Sequence, residues 1–189
     1  MFQVRLHGRG GQGSVTGAEL LSVASFFEGK FAQAFPSFGS ERMGAPVMAF
    51  CRIADVEIRL REPVMEPDAV LVQDATLLHS VQVFQGLRPD AFVLINTGKS
   101  PDALGLSELR ERLPPGHLQT VAATELALKH LGRPVPNAGL LGGFAALTGM
   151  VGLRSLERAL RERFQGSLAD GNVAAATAAF ARVQEQRAC

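Results

Sequence analysis

The chain has 189 residues, a length that suits one domain, and burying about two-thirds of its unfolded surface needs no metal or disulfide staple. Hydrophobic residues make up 47% and charged residues 20%, with 19 basic against 18 acidic side chains, so composition asks for neither disorder nor a grip on nucleic acid or an acidic membrane. Two cysteines, Cys51 and Cys189, are too few for a disulfide scaffold or a four-cysteine metal site, and the absence of Trp and Tyr removes a base-stacking platform.

Phe2, Val4 and Leu6 alternate with Gln3 and Arg5, which predicts a short first strand rather than a basic-then-apolar leader. The strand runs into His7-Gly8-Arg9-Gly10-Gly11-Gln12-Gly13. A helix follows, its apolar face drawn from Val15, Ala18, Leu20, Leu21, Ala24 and Phe27, with Gly29 as its stop. Residues 31–44 have no sustained period and read as a strand fragment followed by an ordered loop. Residues 45–53 fit an interior strand. With Asp55 as the turn and Val56, Ile58 and Leu60 alternating beyond it, they predict an antiparallel hairpin.

Strand-then-helix units occupy the second half. Strands are expected at residues 69–72, 91–95 and 118–122, and helices at 75–84, 104–113, 124–131, 137–151, 153–164 and 168–186. The weakly polar stretch 138–153 carries five glycines and is too short to span a membrane, so the cytoplasm is the expected compartment. Short apolar strands between helices predict an α/β, Rossmann-like, mostly parallel sheet with helices on both faces and an antiparallel hairpin insertion.

Gly8 to Gly13 matches GxGxxG after a strand and before a helix. Glycines bring backbone amides close to a phosphate, the helix start adds its dipole, and Arg9 supplies a charged donor. His7 is placed either to donate to the same phosphate or to pack. A dinucleotide site also needs an acid closing a second strand about 20 residues on. Glu28 closes a helix instead, and Phe35-Pro36-Ser37-Phe38 has no acid. The loop therefore reads as an anion site before a tight structural turn, with a complete NAD or FAD site as the third alternative. It is not a Walker loop. Gly98-Lys99-Ser100 lacks the upstream glycine, and Asn96, Thr97 and Lys99 are weaker candidates at a second strand end. Cys51 reads as a small buried hydrophobe. His79, His117 and His130 read as isolated surface or packing residues.

HGRGGQG, VTGAELL and EGKFAQAFPSFGSERMGAPVMAF, in that order between His7 and Phe50, closely resemble the gamma subunit of 2-oxoacid:ferredoxin oxidoreductases. The glycine motif resembles the pyruvate or branched-chain type more than the 2-oxoglutarate or indolepyruvate type. The resemblance implies one gamma-type domain over residues 1–189 and a multisubunit reaction in which a 2-oxoacid, coenzyme A and oxidised ferredoxin give acyl-CoA, carbon dioxide and reduced ferredoxin. It also implies alpha and beta partners holding thiamine diphosphate with Mg2+, and [4Fe-4S] clusters in beta and in a ferredoxin-like delta chain. This chain would then carry no catalytic residue, with pyruvate the favoured substrate.

What remains for it is assembly and help with coenzyme A, whose pyrophosphate and 3′-phosphate suit Gly8, Arg9, Gly10, Gly11, Gln12 and Gly13. Arg42 is the next choice, as a phosphate ligand or as a pair for Glu41 or a partner carboxylate. Phe31, Phe35 and Phe38 suit a core seam or a subunit interface. A regulatory nucleotide-binding module and a purely structural subunit are the competing readings.

Overall fold

The computed structural model describes residues 1–37 and 43–188. Arg42, with Phe38, Glu41 and Cys189, lies outside the described residues.

Strand β1 (Phe2–Arg9) runs past Leu6, where the alternation ends, through His7, Gly8 and Arg9. It is followed by α1 (Ser14–Phe27), which buries Ala18, Leu20, Leu21 and Ala24 and stops at Gly29, φ +74°. Next come β2 (Phe31–Pro36) and β3 (Pro46–Ala54). The hairpin is β2–β3, with Phe35 opposite Phe50, and not the pairing of residues 45–53 with 56–60 that alternation predicts. Val56 and Leu60 stay exposed, and residues 57–61 form no strand. The reason is competition for edges: β1 takes one edge of β3 and β2 takes the other.

β4 (Ala69–Val72), β5 (Phe92–Asn96) and β6 (Leu118–Val121) complete a six-stranded sheet in the order β2-β3-β1-β4-β5-β6. The β1–β4, β4–β5 and β5–β6 pairs are parallel, whereas β1–β3 and β2–β3 are antiparallel. The predicted helix at 75–84 shrinks to a 3-10 turn, Ala75–His79, capped by Asp74. Its partner on that face is α2 (Ser107–Arg112). These short elements cover Val70, Val72, Val93 and Ile95.

The opposite face carries α1 with α3 (Ala123–Leu131), α4 (Asn137–Thr148), α5 (Leu153–Arg163) and α6 (Gly166–Ala188). Nearly every residue of α4 is buried, as a helix apolar on all sides must be. It lies between the sheet and α6, which meets it with Ala176 and Ala179. No helix among the described residues is long and apolar enough to cross a membrane.

Two arginines shape the other side of the antiparallel half. Val4 and Leu6 of β1 point toward α1, so Arg5 and His7 point away from it. Arg5 is 5% exposed and donates to the carbonyls of Val64, Val83 and Gln85. Arg52 of β3 is 2% exposed and donates to Gln3 Oε1 and to the carbonyls of Leu60 and Glu62. Together they strap residues 60–64 and 83–85 across the sheet without using a carboxylate.

Candidate site at the glycine loop

The parallel strands place the loop. Gln73 N donates to His7 O, so the end of β4 sits beside the end of β1. Asn96, at the end of β5, donates through Nδ2 to Gln73 O at 2.7 Å. Three strand ends thus line one edge, where ligands of open α/β sheets bind.

The backbone of the loop falls into two groups. Gly10 N donates to Ala45 O and Gln12 N to Arg9 O, and Arg9 N donates to the side-chain oxygen of Gln12. The amides of Gly11, Gly13, Ser14, Val15 and Thr16 have no hydrogen-bond partner among the described residues. Gly13 is the N-cap of α1 at φ +76° and supplies no side-chain cap. A larger residue would be strained there, and its Cβ would come within 2.6 Å of Asn137 Nδ2. These amides lie at the start of α1, where a helix leaves its first N–H groups unpaired and its dipole is positive.

A buried polar chain fixes this turn from behind. Ser14 Oγ donates to Gln73 Oε1 at 2.5 Å, Gln73 Nε2 donates to Asn137 Oδ1, and Asn137 Nδ2 donates to Gly13 O at 3.1 Å. Gly8 is small because a side chain there would run into Ser14 Oγ and Gln73 Oε1. Neither Gln73 nor Asn137 is singled out by the sequence. For Gln73 a signal exists, since it directly follows the buried strand Ala69–Val72. Asn137 merely opens a helix.

The charged groups are already engaged. Arg9 donates from Nε to Asp74 Oδ2 at 3.0 Å, from Nη1 to Gly44 O at 3.1 Å and from Nη2 to Thr76 Oγ1 at 2.8 Å. Gln12 Nε2 donates to the same Asp74 oxygen at 3.1 Å. Burial raises the Asp74 carboxyl, but its bonds to Thr76 and Gln12 and the nearby Arg9 charge outweigh that and leave it below the usual range.

His7 does not join the loop. It is 2% exposed, and its Nε2 accepts from Arg5 Nε at 3.0 Å. Burial, then the Arg5 charge, push its pKa down to about 3. The unfolded chain therefore takes up this proton first. The associated stability is fully present above about pH 6.5 and is lost as pH falls toward 3, at up to about 1.4 kcal/mol per pH unit. Urea midpoints between pH 6.5 and 5 should show this slope. His7→Gln, whose amide oxygen still accepts from Arg5, should flatten it.

The weaker candidates have structural duties. Asn96 also donates to Thr124 Oγ1 and accepts from Thr124 N, fastening the start of α3. Thr97 Oγ1 accepts from Lys99 N. Glu28 is a helix length away from the loop and accepts from Gly152 N at 2.8 Å. The His117 ring stacks on Phe92 with centroids 4.0 Å apart. Phe35 packs against Phe50 at 5.2 Å beneath the Arg52 guanidinium, whereas Phe31 is half exposed. Cys51 is buried and its thiol is pushed up to about 12 by burial, so it offers no thiolate. Among the described residues, no group of three or more His, Cys, Asp or Glu is placed to hold a metal ion.

The fold and the loop define an α/β chain with a six-stranded mixed sheet and a glycine-rich turn between its first strand and first helix. Residues 3–182 match the family described as pyruvate ferredoxin/flavodoxin oxidoreductase. The chain is 48% identical to pyruvate synthase subunit PorC of Methanocaldococcus jannaschii, over 95% of this chain and 96% of that one. It is 46% identical to the pyruvate/ketoisovalerate oxidoreductases common subunit gamma of Pyrococcus abyssi, over 97% and 98%. The crystal structure of pyruvate oxidoreductase subunit PORC from Thermotoga maritima superposes with a TM-score of 0.80 at 35% identity, covering 95% of each chain. The chain belongs to the pyruvate ferredoxin/flavodoxin oxidoreductase family, as a chain of the gamma-subunit type.

Proposed function

We propose that this chain works as the gamma component of a pyruvate:ferredoxin oxidoreductase and that its glycine loop helps to hold coenzyme A by a phosphate. Alpha, beta and ferredoxin-like delta chains are its partners, and ferredoxin is the electron acceptor. Thiamine diphosphate with Mg2+, and the [4Fe-4S] clusters, are assigned to those partners. Thiamine diphosphate supplies the carbanion chemistry of the decarboxylation. The gamma chain contributes binding and orientation. Pyruvate as substrate is supported by the names of the relatives, which are pyruvate synthase and pyruvate/ketoisovalerate subunits.

The observation that carries the loop assignment is the set of unbonded amides at Gly11 and from Gly13 to Thr16, beside Arg9. Their donors suit a phosphate, which accepts several hydrogen bonds at once. A structural turn uses the bonded amides of Gly10 and Gln12, and the unbonded amides that any helix start leaves are the donors this reading assigns to a phosphate. Pyrophosphate bound here would lie against Gly8 to Gly13, with Arg9 adding a charge-assisted bond. Arg42 is proposed as a second phosphate contact.

Hydrogen exchange on the assembled complex tests this. Coenzyme A is expected to slow exchange at Gly8 to Gly13 and in the first turn of α1. Arg9→Ala is expected to raise the KM for coenzyme A about tenfold while the complex assembles normally. Absence of protection would remove the loop from the coenzyme site. Unchanged coenzyme A kinetics would remove Arg9.

A further inference from the structure

We infer that Asp74 is an internal competitor for the anion site, holding Arg9 and Gln12 until a phosphate replaces it, and so sets how weakly coenzyme A is held. The inference rests on the proposed phosphate role of the loop. Its evidence is where the two long polar side chains of the loop end. Arg9 Nε and Gln12 Nε2 both donate to one oxygen of Asp74, at 3.0 and 3.1 Å. The other oxygen accepts from Thr76 N at 2.9 Å and from Thr76 Oγ1 at 2.5 Å. The Arg9 and Asp74 side chains are 30% and 17% exposed, so the pair is screened only in part.

A carboxylate here does what a phosphate would do. It takes the Arg9 charge and the Gln12 amide, and the loop rests in a closed set of bonds. The open amides of α1 remain on offer, because Asp74 bonds to side chains of the loop and not to those amides. A phosphate arriving at the amides meets the negative charge of Asp74 near the cation it needs. It gains Arg9 only as Arg9 leaves Asp74, so the net gain is an exchange of one anion for another. The alternative is that Asp74 aims Arg9 at the ligand. The two roles differ in sign.

Coenzyme A is titrated calorimetrically into the assembled complex at fixed ionic strength, for the wild type, Asp74→Asn, Asp74→Ser and Arg9→Ala. Asparagine and serine keep one oxygen for the Thr76 amide and remove both the charge and the second carboxylate oxygen that holds Arg9 and Gln12. Both variants are expected to lower the Kd for coenzyme A, by about three- to tenfold. Damage to the loop would weaken binding, so tightening cannot come from damage. An unchanged or raised Kd in both variants, together with a raised Kd in Arg9→Ala, overturns the competitor role and leaves the loop as a phosphate site. An unchanged Kd in all three variants, with no coenzyme protection of the loop amides, overturns the phosphate reading and this inference with it.

Discussion

Replacing Arg5 with alanine is expected to lower the stability of the fold by about 3–5 kcal/mol. The guanidinium is the shared donor for the carbonyls of Val64, Val83 and Gln85, and Val64 and Val83 are themselves buried. Removing it strands acceptors that water reaches poorly, at a cost of about 1–3 kcal/mol for each buried one. Relief from burying a positive charge offsets part of that loss. Arg5→Met separates the two contributions. Methionine refills the volume but donates nothing, so it should cost nearly as much as alanine. Urea denaturation measures both, and a methionine variant as stable as the wild type would show that Arg5 acts by packing alone.

The second large effect is expected at Gly142. A Cβ there would lie 2.7 Å from both Cα and the carbonyl carbon of Ala176, and closer still to the carbonyl oxygen. These are backbone atoms of α6, so a methyl forces two helices apart. Overpacking of this kind costs about 3 kcal/mol, even though alanine is the better helix former by about 1 kcal/mol. Gly139→Ala is the matched control. Its Cβ would meet the Ala123 Cβ at 3.1 Å, a contact relieved by a small shift. Thermal unfolding should rank Gly142→Ala far below Gly139→Ala.

Periodicity and turn residues locate most elements because those signals are local. β1, α1 and the later parallel strands fall within a few residues of their predicted places. The hairpin fails for a reason that is not local. Val56, Ile58 and Leu60 have a strand-like alternation, but both edges of β3 are taken by β1 and β2. The 3-10 turn at Ala75–His79 is shorter than its apolar pattern, and Val81, Val83, Phe84 and Leu87 pack on the same face without a helical repeat.

The glycine loop is legible for a different reason. Gly8 to Gly13 is contiguous, and each residue type carries a backbone meaning. What surrounds the loop is not contiguous. Gln73, Asp74 and Asn137 are distant in sequence and reach it only through the parallel pairing of β1 with β4 and the burial of α4. A lone glutamine or asparagine carries no local signature, so its place in the network appears only in three dimensions.

Arg5 and Arg52 differ in kind from the arginines on the surface. Arg110–Asp102 and Arg161–Asp170 are exposed ion pairs, and dissolved salt weakens them. Backbone carbonyls carry no net charge for mobile ions to gather around. The straps over residues 60–64 and 83–85 therefore hold with nearly the same strength at low and at high salt. That half of the sheet has a tolerance to ionic strength that the surface ion pairs lack.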